Sequence, residues 1–256
     1  MNAMRRWAPR VLVGAALAIL ALAAALAVLP ARWLITLLPA DAPLAIVDAS
    51  GTVWAGTALV ALGPPGARTT LPDPIRWQTG WDAGLRALVH HPWLECSQLA
   101  IRAGWSGLGL GPCQVRLPAE TLATLGAPLN TLKPSGTLRA SWPGLRLPYR
   151  GGVPSGQLVT LDWTLAGSAL SPVRPLGDYR VQMTGDNGAA HVSIATLRGV
   201  LQVQGEGSFS PTAAARFSGR AGPAPGTPDT TIMSLQGLLS AIGRRSGDET
   251  LFQFGR

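Results

Sequence analysis

Val159-Thr160-Leu161-Asp162-Trp163-Thr164-Leu165 sets apolar and polar side chains in strict alternation. Successive side chains of an extended chain point to opposite faces, so the segment predicts a strand with one dry and one wet face. The same period of two recurs on both sides of it. Upstream, Ile75, Trp77 and Thr79 alternate with Arg76 and Gln78; Leu99, Ile101, Ala103 and Trp105 alternate with Gln98 and Arg102. Cys113, Val115 and Leu117 alternate with Gln114 and Arg116, and Leu138, Ala140 and Trp142 alternate with Arg139 and Ser141. Downstream, Tyr179, Val181 and Met183 alternate with Arg180 and Gln182, and Leu201 and Val203 alternate with Gln202 and Gln204. Gly, Pro, Asn or Asp usually lie between these segments, as turns require. The pattern predicts a mainly β fold, a curved antiparallel sheet with one face dry.

Nearer the N-terminus, Leu44–Leu62 reads as a hairpin, with Gly51 at a tight turn and Gly56 at a bulge or close approach. Gly63–Asp73 is rich in Pro and Gly and reads as a loop. Two or three short helices are expected. Ala31–Leu38 is one; Pro118–Leu125, opened by proline and closed by Gly126, is another. Ile232–Ile242 puts Leu235, Leu238, Leu239 and Ile242 on one face and ends at Gly243. Residues 221–230 have the composition of a linker before it, and Thr250–Phe254 fits a final strand. Ser50-Gly51-Thr52, Ser135-Gly136-Thr137, Ser155-Gly156-Gln157 and, more loosely, Arg198-Gly199-Val200 form a short repeat at strand openings. It fits duplicated hairpins or recurring turn chemistry.

Val11–Leu29 carries no charge and no strong hydrogen-bonding side chain. As a helix it is about 28 Å long, the thickness of a bilayer's hydrocarbon. Arg5, Arg6 and Arg10 precede it; Pro30, Arg32 and Trp33 follow. Ala25-Leu26-Ala27 would suit signal cleavage, but the apolar run exceeds a signal's usual core, and the flanking Trp and Arg suit an interface. The expectation is an uncleaved transmembrane helix at residues 11–29, a cytoplasmic tail at 1–10 and a β-rich periplasmic domain at 30–256, in a bacterial inner membrane. Gly14, Ala18, Ala21 and Ala25 fall on one helix face, a weak seam for helix packing.

Formal net charge is +8 over 256 residues. Arg5, Arg6 and Arg10 carry three of these charges and no acid precedes Asp41, so residues 30–256 hold the remaining +5. A periplasmic domain does not normally meet nucleic acid, so the basic balance points to anionic headgroups or an acidic partner. Lys133 is the sole lysine, and the Ala, Gly, Pro and Arg usage matches a GC-rich genome. Cys96 and Cys113 are the two cysteines, and in an oxidising compartment they are expected to form a disulfide.

Chemistry is sparse. His90-His91 stands beside Pro92 with no metal-ligand spacing around it, and His191 is isolated. Gly104-Trp105-Ser106-Gly107 misplaces its glycine for a hydrolase elbow, and Gly107, Gly109 and Gly111 run into Pro112 where a phosphate-binding helix should open. No catalytic, cofactor-binding or metal site is expected, and no cofactor. Of nine tryptophans, Trp77, Trp105, Trp142 and Trp163 sit on apolar faces of the expected strands. They fill a core or line an apolar groove.

Several segments resemble protein N of the bacterial type II (general) secretion system. These are the N-terminal apolar run, Ala49-Ser50-Gly51-Thr52-Val53-Trp54-Ala55-Gly56, the stretch from Leu129 to Leu138, and Leu238–Asp248, in that order. The resemblance implies a non-enzymatic inner-membrane accessory subunit of the machine that exports folded proteins. Its partners would be other secretion subunits, the inner-membrane platform or the secretin, together with inner-membrane lipid. The alternative on the residues alone is a membrane-anchored lipid-binding or lipid-transfer protein that uses an apolar concave sheet.

Overall fold

The structure is a computed structural model that describes residues 4–37, 39, 42, 44–66, 68–82, 84–125, 129–150, 152–210 and 213–255. It is mainly β, with antiparallel pairing throughout and few helices. One sheet was expected; the strands form two.

The first sheet has eight strands: β1 (Leu44–Gly51), β2 (Ala55–Leu62), β3 (Thr69–Thr70), β4 (Ile75–Trp81), β5 (Leu85–His90), β6 (Leu99–Ala103), β7 (Gly107–Leu110) and β10 (Leu145–Pro148). They lie in the order β1-β2-β4-β5-β6-β7-β10, with β3 paired to β2. The second has nine: β8 (Cys113–Pro118), β9 (Pro134–Trp142), β11 (Gly156–Ser168), β12 (Gly177–Asp186), β13 (Ala189–Gly199), β14 (Leu201–Ser210), β15 (Ala213–Pro223), β16 (Arg244–Ser246) and β17 (Glu249–Phe254). Their order is β16-β17-β15-β14-β13-β12-β11-β9-β8. The split arises because the chain crosses to the second sheet at β8 and returns once, for β10, which pairs with β7.

The Leu44–Leu62 hairpin forms as β1 and β2, with Gly51 at φ +87°. A side chain on Gly56 would meet the Ser50 carbonyl and the Trp77 ring at 2.6 Å, which is why glycine stands there. The repeat glycines Gly51, Gly136, Gly156 and Gly199 all have positive φ, but Gly51 and Gly199 close strands, Gly156 opens one, and Gly136 lies within β9 opposite the bulge of β11. The four therefore do not mark one repeated structural position. The strand β15 runs through Pro223, with Ala221 buried, so the linker composition covers only the turn after it.

Helix α1 (Met4–Ala27) is followed by a 3₁₀ helix, Ala31–Leu37; another covers Ala119–Leu125, whose expected terminator Gly126 lies outside the described residues. Helices α2 (Leu129–Leu132) and α3 (Asp229–Ile242) complete the set, α3 ending at Gly243. Among the described residues no helix is long and apolar enough to cross a membrane. For α1 the side chains are described from Val13 onward, which leaves residues 13–27 of the expected Val11–Leu29 span. Helix begins already at Met4, within the expected tail, and residues 13–28 are exposed throughout.

The main core lies under α3, where Leu235, Leu238 and Leu239 pack on Leu176, Leu201 and Ala221. A smaller one joins Ala31, Ala49 and Ala58 with Ile46 and Trp77. Cys96 and Cys113 are bonded, with Cα atoms 5.3 Å apart, tying the segment between β5 and β6 to β8. Around that bond Leu94 bridges Val115, Arg116 N–H donates to Trp93 O at 2.8 Å, and Glu95 N–H donates to Gln114 O at 2.8 Å. The connection between β5 and β6 therefore covers the β8 edge of the second sheet.

Candidate functional site

Register places the apolar residues of the second sheet on one face. Trp163 pairs with Leu138 and Tyr179, and Leu161 with Ala140 and Val181. Val181 in turn pairs with Ile194, and Ile194 with Gly205. Arg139, Asp162, Arg180 and Ser193 occupy the other face. Helices α2 and α3 cover only one end of the dry face. Leu161, Val181, Met183, Val192 and Ile194 stay half-buried.

Between the helices and the sheet lies a cavity of about 400 Å³. Leu129 and Leu132 of α2, Leu238 and Ile242 of α3, and Trp163, Tyr179, Ile194, Val203, Phe252 and Phe254 of the sheet line it, and its exposed lining is wholly apolar. The polar tips of its aromatics turn outward to backbone. Trp163 Nε1–H donates to Ser135 O at 2.9 Å, and Tyr179 O–H donates to Leu201 O at 3.0 Å. Burial, with the adjacent Asp178 charge, pushes the Tyr179 phenol well above its usual range, so it stays a neutral donor. Phe252 has room because it crosses a glycine: a side chain on Gly219 would meet its ring at 2.5 Å.

Beside the cavity, Asp178 Oδ1 accepts the Leu165 N–H at 2.7 Å and Oδ2 pairs with Arg198 Nε. Those two contacts hold the carboxyl below the usual carboxylate range, and they fix the bulge where Leu165 takes φ +52°. Nothing in this arrangement offers a nucleophile with a base. Among the described residues no three His, Cys, Asp or Glu side chains gather as a metal site. What the site can do is hold apolar matter and present strand edges.

The four tryptophans are not brought together. Trp163 lines the cavity. Trp77 packs in the small core and its Nε1–H donates to Val53 O at 3.1 Å. Trp142 pairs with Cys113 where the sheets meet, and its Nε1–H donates to Gly111 O at 3.0 Å. Trp105 was expected on a strand face; β6 ends at Ala103, so it sits in the β6–β7 turn, fully exposed. Sequence reasoning missed Tyr179, Phe252 and Phe254 as lining residues, although Phe252 and Phe254 have the spacing of one strand face.

The family model for type II secretion system (T2SS) protein N matches residues 42–251, from β1 into β17. The chain belongs to the type II secretion system protein N family. Membership makes it a component of a protein-transport machine of the bacterial envelope and implies interaction with other components of that machine. Protein N is not a known enzyme family. No curated protein and no solved structure matches the chain.

Proposed function

We propose that this protein N is a non-enzymatic accessory subunit anchored in the inner membrane by α1, with residues 30–256 in the periplasm, where it scaffolds other secretion subunits. Family membership supports the setting. The observation that carries the scaffolding is the β10 edge. Among the described residues, β10 pairs with β7 alone, so the backbone groups on its other side have no strand partner. Such an edge is a template for a partner's strand. The β8 edge is covered by residues 93–95, and the Ala31–Leu37 helix packs along β1; of the two edges left, β16 has 3 residues and β10 has 4, which favours β10 for pairing. The anchor is supported by the exposed apolar side chains of α1, Leu17, Ile19, Leu20 and Leu22 among them, which water does not favour and lipid does.

A photo-crosslinking residue at Arg146 on β10, with one at Gln204 as control, tests the scaffold in cells. Adducts to the platform or the secretin from position 146 alone are expected. Absence of any secretion subunit from those adducts would sink the reading. Release of the full-length protein by alkaline extraction would sink the anchor.

The wholly apolar cavity favours a second reading, in which this subunit binds an acyl chain. Lipid that co-purifies at a fixed ratio and is lost on Ile194→Gln would support it; mass spectrometry showing no bound lipid would remove it.

A further inference from the structure

We infer that the hairpin tips of the first sheet rest in the headgroup layer of the anionic bilayer that holds α1. The inference rests on the anchor reading for the identity of that bilayer; the surface itself is defined by strand register.

The last pairs before the turns form one row. Trp81 pairs with Leu85, Leu85 with Ala103, Ala103 with Leu108, and Leu108 with Leu147. Directly paired residues share a face, so this is a single apolar line across β4, β5, β6, β7 and β10. It is left in water: Trp81 is 81% exposed, and Leu85, Leu108 and Leu147 are exposed as well. Just beyond it stand Trp105, fully exposed in the β6–β7 turn, and Tyr149, exposed after β10. The Tyr149 N–H donates to Ser106 O at 3.2 Å, which brings these two tips together.

One residue further in, on the opposite face, runs a basic row. Arg86 pairs with Arg102, and Arg102 and Arg146 both pair with Gly109. Like charges directly opposite each other destabilise a sheet unless an anion lies between them. Asp82 meets Arg86 at 3.6 Å, but Arg102, Arg146 and Arg150 have no carboxylate partner among the described residues. Aromatics at the tip with arginines a few ångströms behind them match the depth profile of a membrane interface, ring bodies among the upper acyl groups and guanidinium groups among phosphates.

Position selects the occupant. Helix α1 leaves the domain at this same end of the sheet. The Trp54 Nε1–H donates to Leu26 O at 2.7 Å, and the Val53 N–H to Leu29 O at 3.0 Å. Thr79 N–H donates to Trp54 O, and Trp81 follows two residues on. The opposite end of the sheet carries the Cys96–Cys113 bond to the second sheet. A line of apolar tips level with the exit of an apolar helix has lipid as its nearest apolar phase.

The full-length protein in phosphatidylethanolamine–phosphatidylglycerol vesicles tests this. A nitrobenzoxadiazole probe is attached at Ser106→Cys, and at Gln204→Cys on the second sheet as control. At position 106 the probe should emit blue-shifted light, be quenched by shallow spin-labelled lipid and be severalfold less open to iodide than at 204. Adding Trp81→Ser and Trp105→Ser should return it to water while circular dichroism and membrane extraction stay unchanged. Omitting phosphatidylglycerol should move it outward. A probe at 106 as iodide-accessible as one at 204, in protein that resists alkali, overturns the inference and leaves the anchor standing. So does shielding that appears only when other secretion subunits are added. Protein released by alkali whose tips still bind the vesicles overturns the anchor and leaves the tip contact standing.

Discussion

Asp178 links four strands. Its Oδ1 accepts the Leu165 N–H on β11, its Oδ2 holds Arg198 on β13, and Gly136 on β9 leaves space for the resulting bulge. A side chain at Gly136 would meet the Leu165 carbonyl at 2.6 Å, and φ there is +110°. The Leu165 N–H comes first and Arg198 second in keeping the carboxyl below the ordinary value of 3.8. A carboxyl depressed in the folded state stabilises above its unfolded value and loses that contribution as pH falls through the folded one. Asp178→Asn should therefore unfold about 1–2 kcal/mol more easily than the native protein at pH 7, since Arg198 is exposed and its share is screened. The gap should close below about pH 4. Denaturant titration at both pH values checks this; a gap that is constant with pH would put the effect in packing. Gly136→Ala combines strain with overlap and should cost about 1–3 kcal/mol at either pH.

Helix α3 shows what was legible at the level of elements. Leucines at 235, 238 and 239 with Gly243 beyond are a pattern that only an amphipathic helix satisfies, and the structure buries those three residues. Strands with large apolar residues at every second place were equally plain, Val159–Leu165 inside β11 among them. Strands β5, β7, β10, β13, β15 and β16 were not read, and neither was β3, which lies inside the Gly63–Asp73 segment expected to be a loop. In β15 small Ala and Gly residues show little contrast, β7 alternates Gly with Leu over only 4 residues, and in β5 Leu88 puts an apolar side chain on the opposite face from Val89. The cavity was illegible for a different reason: it needs α2 and α3 over one end of the face, and period two says nothing of which helix lies where. Leu235 is fully buried while Met233 on the same helix is exposed. Leu235→Ala should cost about 3 kcal/mol and Met233→Ala within about 0.5 kcal/mol of nothing. Equal losses by thermal or chemical unfolding would mean that α3 is not seated by that face.

At the scale of the molecule, two sheets that share no strand must still move as one body if α1 at one end is to position the cavity at the other. Among the described residues their junction includes the Cys96–Cys113 bond, the Leu94–Val115 bridge with its two flanking hydrogen bonds, the Trp142 Nε1–H to Gly111 O hydrogen bond, and Glu95, which meets Arg116 at 2.6 Å and Arg139 at 3.4 Å. The ion pairs are partly exposed and contribute little. The disulfide spans a separation of 17 residues, and closing a loop of that size stabilises by about 3 kcal/mol in the chain-entropy model. Replacing both cysteines with serine should lower stability by about that amount, and it should do so unevenly. Hydrogen exchange should quicken at the amides of Glu95 and Arg116, which lie beside the bond, while β12 to β14 keep their protection because their own ladder and the α3 core hold them. Reducing the native protein with dithiothreitol should reproduce the pattern. If exchange at Glu95 and Arg116 were unchanged, the backbone bridge alone would be holding the sheets together. If β12 to β14 lost protection to the same degree, the sheets would unfold as a single unit and the junction would be no weaker than either sheet.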